Sequence, residues 1–203
     1  MRKVKALYTD ETVTVYQAYP DRIADPALDA GTFVPPFRPG RMTWIKPSFL
    51  WMMHRSGWAT KKDQERILAV SIKREDFVWA LSQACPSSFD RRVFKDHQEW
   101  RLELSSSQVR IQWDPDRDLH LRPTDSRAVQ VGLAAEASQL YVRNWIRELR
   151  DVTPLAREVR SLVREGDLLA AQARLPVERI FPLGPHLASR IGATAAGPQT
   201  ETE

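Results

Sequence analysis

The period of the apolar residues switches repeatedly along this chain, and that constrains the fold more than any other feature. Residues 12–18, Thr-Val-Thr-Val-Tyr-Gln-Ala, alternate apolar and polar side chains, the two-residue period of a half-buried strand. Residues 42–45, 66–73, 100–104, 108–113 and 128–132 read as further strands, the last four rich in Ile, Leu, Val and Trp. Helical spacing takes over elsewhere. Pro20 and Asp21 open a short helix through Ile23, Ala24, Ala27 and Leu28, and Gly31 stops it. Pro47 suits the first turn of a helix over residues 48–54 that Ser56 and Gly57 end. Residues 75–84 and 134–149 show the same spacing, the latter through Leu140, Tyr141, Trp145, Ile146 and Leu149. Thr153 and Pro154 start another helix, which breaks at Gly166 and continues to about Arg174.

Between these elements, residues 32–40 hold three prolines and a glycine and form an ordered loop. Residues 61–65 read as a charged turn, 105–107 as a hairpin turn, and 114–118, Asp-Pro-Asp-Arg-Asp, as a loop. Strands and helices thus mix early, strands dominate the middle and helices follow. That order predicts an α+β domain with mixed or antiparallel sheets and a helical C-terminal part, not an alternating α/β fold. Its 203 residues suit one domain, placed at residues 1–188, with the apolar-poor residues 189–203 as a flexible tail.

Composition narrows the function classes. The single cysteine, Cys85, excludes a disulfide within the chain and a cysteine-only metal site. The four histidines, at 54, 97, 120 and 186, include no i, i+4 pair, so no metal site is expected. No apolar run nears the roughly 18 residues that cross a bilayer, and no apolar signal core follows the N-terminal Arg2, Lys3 and Lys5. The expected location is the cytoplasm, away from membranes. The net charge of +4 comes with 23 Arg against 7 Lys, which is compatible with a polyanionic partner. Glycine fingerprints for dinucleotides and nucleoside triphosphates, the nucleophile elbow of serine hydrolases and the zinc-protease His-Glu-x-x-His are all absent.

The chemistry concentrates in residues 41–58, Arg-Met-Thr-Trp-Ile-Lys-Pro-Ser-Phe-Leu-Trp-Met-Met-His-Arg-Ser-Gly-Trp. Trp44, Trp51 and Trp58 fall seven apart, with Arg41, Lys46 and Ser48 among them. Such residues can build an aromatic and basic wall for a base and its phosphates, or pack a core. Polar groups inside an apolar run need partners, and this points to Arg41, Lys46 and Ser48 as functional. Residues 112–118 place three Asp within five positions, without the glycine and distant Glu of a calcium loop. Gln130 sits between apolar neighbours on a short strand and needs partners at both ends of its amide.

The segments Val15-Tyr-Gln-Ala-Tyr, Arg41 through Met53, Arg55-Ser-Gly-Trp, Gln112-Trp-Asp-Pro and Arg127-Ala-Val-Gln-Val-Gly-Leu resemble domain-of-unknown-function family 4291, over roughly residues 5–190. A more distant likeness is to ADP-ribosyltransferases of the diphtheria-toxin-like and DNA-modifying kinds. In those a first strand carries a Tyr-His-Gly/Ala-Thr-type motif, a short helix and a glycine follow, and a second strand leads to a Ser or Tyr near the nicotinamide. Tyr16-Gln-Ala-Tyr, the helix from Asp21, Gly31 and Thr43-Trp-Ile-Lys-Pro-Ser48 repeat that order, with Gln17 where those enzymes often have His.

The likeness implies NAD as co-substrate and a cleft between small sheets. It implies Tyr16, Gln17, Tyr19, Arg41, Thr43, Trp44, Lys46 and Trp51 as NAD-binding residues, and Ser48 with Glu103 or Glu178 as catalytic residues. Trp113, Asp114, Arg127 and Gln130 become acceptor-binding candidates. The expectation is an NAD-dependent ADP-ribosyltransferase-like enzyme, with nucleic acid or protein as acceptor. A nucleic-acid-binding module using the same Trp, Arg and Lys residues, and a protein-interaction domain with tryptophan anchors, stay open beside it.

Overall fold

In the computed structural model, which describes residues 1–194, the chain runs β1 (Lys5–Ala6), β2 (Thr12–Tyr19), α1 (Asp21–Ala30), β3 (Thr43–Ile45), α2 (Phe49–Ser56), β4 (Arg66–Lys73), α3 (Arg74–Ser82) and β5 (Ala84–Pro86). It continues with α4 (His97–Ser106), β6 (Val109–Arg117), β7 (Pro123–Leu133) and α5 (Ala135–Leu140). A π-helical turn (Tyr141–Trp145) leads into β8 (Ile146–Asp151), followed by α6 (Thr153–Glu165), α7 (Leu168–Arg174), β9 (Arg179–Ile180) and α8 (Pro185–Arg190). This is an α+β architecture, as the changing period predicts. No described helix is long and apolar enough to cross a membrane.

Two sheets carry the fold. One is antiparallel, in the order β2-β4-β8; the other is mixed, in the order β3-β7-β6-β5, with β5 and β6 parallel. They meet at one backbone pair. The Tyr16 N–H donates to the Lys46 carbonyl at 2.7 Å, and the Lys46 N–H returns a bond to the Tyr16 carbonyl at 3.3 Å. This seam brings the first-strand motif against the central Trp-rich segment. A third, two-stranded ribbon pairs β1 with β9 and ties the N-terminus to residues 179–180.

The structure differs from five of these expectations. Residues 100–104 are helical, because Asp96 caps α4 by accepting from the Gln98 and Glu99 N–H groups at 2.9 Å. Glu99 reaches back to the Lys95 N–H at 2.8 Å, so residues 105–107 end a helix rather than turn a hairpin. Residues 146–151 form β8 instead of extending a helix, since they satisfy the second edge of β4. Residues 114–117 stay in β6 and the turn comes later; the register slips between Pro115 and Arg117, a bulge that tolerates proline. Residues 189–194 belong to the fold: Ile191 is fully buried and the Arg2 N–H donates to the Thr194 hydroxyl at 2.9 Å. The rest of the expected tail, residues 195–203, lies outside the described residues.

Gly132 on β7 shows how tightly β3 is laid down. A Cβ there would meet Met42 Sδ at 2.8 Å and the Trp44 ring at 3.0 Å. Gly132→Ala is therefore expected to cost about 1–3 kcal/mol by overpacking, read as a lower denaturation midpoint; an unchanged midpoint would show that the Trp44 ring moves freely.

Candidate functional site

The Tyr16/Lys46 seam leads directly into α2, and the N-terminus of this helix forms the wall of a cleft. Ser48 is the N-cap, its hydroxyl accepting from the Trp51 N–H at 3.4 Å. This explains a buried polar residue inside an apolar run. The Ser48 hydroxyl donates onward to Asp116 Oδ1 at 3.4 Å, and Lys5 Nζ lies 3.4 Å from Asp116 Oδ2. Glu178, after α7, accepts from the Phe49 N–H through Oε1 at 2.6 Å. Lys5, Ser48, Asp116 and Glu178 line one cavity of about 430 Å³ together with Gln172, Leu175 and Val177.

The electrostatics of this cleft are unusual for a carboxyl at a helix N-terminus. The Phe49 N–H and the Lys5 ammonium favour the charged form of Glu178. Burial opposes them more strongly, with help from Asp116, and raises the carboxyl to about 8. Tyr16 lies beneath, fully buried and edge-on to Phe49 at 5.4 Å between ring centroids. Burial first, and then the charge of Glu178, push its phenol well above the usual range. The cleft thus holds a carboxyl that is protonated near neutral pH beside an Asp held by a lysine and a serine. Such a pair suits proton exchange and stabilisation of positive charge.

Other expected site residues lie in different surroundings. Gln17 is buried in a closed polar knot. Its Nε2 donates to the Tyr19 hydroxyl at 2.9 Å, the Thr43 hydroxyl at 2.9 Å and the Trp44 carbonyl at 3.2 Å, while its Oε1 accepts from the Tyr141 hydroxyl at 2.6 Å. Tyr19 and Thr43 also bond each other at 3.2 Å. Every polar atom of the Gln17 amide is satisfied inside the protein, so none is left for a ribose. Burial lifts the Tyr19 phenol to about 12.

Arg41 is exposed at the start of the Trp-rich segment and joins neither network. Glu103, on α4 rather than on a strand, pairs with Arg190 at 2.7 Å and lines a separate cavity of about 540 Å³ with Leu102 and His186. Gln130 Nε2 and Gln112 Nε2 both donate to Asp114, at 2.6 and 3.2 Å. Arg127 is exposed and donates to the Trp113 carbonyl at 3.2 Å.

The tryptophans divide differently from the expectation drawn from their spacing. Trp51, Trp58 and Trp113 are buried, and the Trp113 indole donates to the Ile191 carbonyl at 2.8 Å. Trp44 is half-buried over Gly132, while Trp79 is exposed. The continuous stacking wall that Trp44, Trp51 and Trp58 would form is therefore not built.

Lys5 and Asp116 are the cleft residues that sequence reasoning passed over. Lys5 reads as one of several N-terminal charges, and Asp116 as a turn former. A faint signal existed in the Asp-Pro-Asp run, since proline at a strand bulge turns the next side chain out of phase.

Fold and site together define an α+β protein with a two-carboxylate cleft at a helix N-terminus. A family model described as Domain of unknown function (DUF4291) matches residues 3–181, and the chain belongs to that family. The matched span contains Lys5, Ser48, Asp116 and Glu178. No curated protein matches the chain.

Proposed function

We propose that the chain is an NAD-dependent ADP-ribosyltransferase-like enzyme whose reaction centre is the cleft at Ser48, Asp116 and Glu178, with nucleic acid as the favoured acceptor. The observation that carries this reading is the convergence of Ser48 and Glu178, from distant parts of the chain, on one cavity with a second carboxyl between them. A volume of about 430 Å³ is in the range of small-molecule sites. In this reading it takes the ribosyl–nicotinamide half of NAD, the part that reacts.

The chemistry asked of the cleft is modest. The bond from ribose C1′ to the nicotinamide nitrogen breaks, and its electron pair leaves with neutral nicotinamide. An acceptor nitrogen or oxygen supplies the pair for the new bond and gives up its proton to solvent water. Positive charge grows on the ribose as the first bond breaks, and fixed carboxylates at hydrogen-bonding distance stabilise it. Asp116 and the ionised form of Glu178 would supply that field. Ser48 would position a ribose hydroxyl, and Lys5 holds Asp116 in place.

The test is incubation with NAD and, separately, single-stranded DNA, RNA and protein acceptors. Nicotinamide release that depends on one acceptor and falls at least a hundredfold in Asp116→Asn is expected, together with a rise in Tm on adding NAD. Absence of both release and thermal shift overturns the reading.

A further inference from the structure

Beyond the cleft, the end of β3, helix α2 and the end of β6 gather nitrogen donors that are only partly met: Arg117 Nη1 donates to the Leu121 carbonyl at 3.3 Å and Arg55 Nη1 to Gln64 Oε1 at 3.4 Å. Lys46 is 7% exposed, yet among the described residues its ammonium has a single acceptor, the Trp44 carbonyl at 3.3 Å. It stands 5.2 Å from the centroid of the Trp51 ring. Among the described residues, none of Lys46, Arg55 and Arg117 forms an ion pair with a carboxylate. Among the described residues, the buried Trp51 Nε1 and Arg117 Nε have no acceptor.

The groups feel each other's charge. Burial and then Arg55 depress the Lys46 ammonium to about 7, against the pull of Asp114. Burial, Arg117, Lys61 and Arg55 depress His54, again against Asp114. Asp114, the one carboxylate that both groups face, is already occupied by the Gln112 and Gln130 amides. Lys61 is accounted for differently, since its ammonium bonds the His54 and Arg55 carbonyls at the C-terminal end of α2, at 3.4 and 2.9 Å.

A buried donor without an acceptor costs about 1–3 kcal/mol, so a cluster of them marks an absent acceptor. We propose that Lys46, Trp51, Arg55 and Arg117 form a subsite for a phosphate group, beside the two-carboxylate cleft that Arg117 also lines. A tetrahedral dianion offers several acceptor oxygens in different directions, which matches donors arriving from three elements; a monocarboxylate offers a plane and one charge. The subsite stands on its own donors and not on the ADP-ribosyl reading, because phosphate binding without NAD turnover leaves it in place.

Calorimetric titration with inorganic phosphate, acetate, adenosine 5′-monophosphate and pyrophosphate tests it. Phosphate is expected to bind at least about tenfold more tightly than acetate at equal ionic strength, and Arg117→Gln to weaken it about tenfold or more. Arg55→Gln, at an exposed position on α2, should weaken it in the same direction. Tighter binding of the monophosphate assigns the subsite to a terminal nucleotide phosphate, and tighter binding of pyrophosphate to a dinucleotide. Phosphate that binds no better than acetate, or equally well to the Arg55→Gln/Arg117→Gln protein, overturns the proposal.

Discussion

Replacing Gln17 with leucine is expected to lower the stability of the protein by about 1–3 kcal/mol. Leucine matches the volume of the amide but offers none of its hydrogen bonds. The Tyr141 hydroxyl, fully buried, loses its acceptor, while the Trp44 carbonyl loses the Gln17 donor but keeps the Lys46 ammonium at 3.3 Å. Each group stranded in this way costs about 1–3 kcal/mol. The Tyr19 and Thr43 hydroxyls keep their mutual bond, which limits the loss. Tyr141→Phe should cost about 1–3 kcal/mol by stranding Gln17 Oε1, and the double variant should be less destabilised than the two single losses summed, because both act on one bond. Urea denaturation midpoints of the three proteins measure this. An unchanged midpoint in Gln17→Leu, accompanied by loss of NAD turnover, would return Gln17 to a ligand-binding role.

Glu178→Gln should have opposite effects on stability and activity. The carboxyl has a folded-state pKa of about 8 against an ordinary value near 4.5. A raised folded value means that the folded protein binds the proton more tightly than the unfolded chain does. The protonated carboxyl's contribution to stability is then complete below about pH 4.5 and is lost as pH rises toward 8. Glutamine keeps the acceptor for the Phe49 N–H and removes the titration. The variant should therefore match the parent protein near pH 4.5 and surpass it at pH 8, in denaturation midpoints taken at both values. If the cleft is the reaction centre, the same variant should lose nicotinamide release about a hundredfold or more. In the parent protein kcat/KM should climb with pH and level off above about 8, as the carboxylate forms. A flat profile, with full activity in Glu178→Gln, would remove Glu178 from the reaction while leaving the stability result intact.

The two experiments separate polar groups that look alike in the sequence. Gln17 and Ser48 both interrupt apolar runs, and both invite a functional reading. One is a core network with every valence satisfied; the other caps a helix and also faces a cavity. Burial and partner count distinguish them, and neither is a property of a residue type or a spacing.

What the sequence determined by itself is local. The two-residue period of residues 12–18 and the apolar, β-branched run within residues 66–73 are local strand signals, and those strands pair with each other along their whole length. Pro47, Gly57, the Thr153-Pro154 pair and Gly166 are likewise local stereochemistry, and α2 and α6 begin and end beside them. Residues 100–104 failed because five residues of Trp-Arg-Leu-Glu-Leu satisfy either period; the Asp96 and Glu99 caps that decide the matter lie outside that window. Residues 146–149 are strand rather than helix because a helical pattern yielded to an unpaired edge of β4, supplied from a distant part of the chain. The cleft belongs to the same category. Ser48 and Glu178 could be named from the sequence, but Lys5 and Asp116 could not, since their meaning comes from the β1–β9 ribbon and the β6 bulge that bring them together. A carboxyl at about 8 and a lysine at about 7 are likewise products of desolvation, and only the packed tertiary structure removes the water.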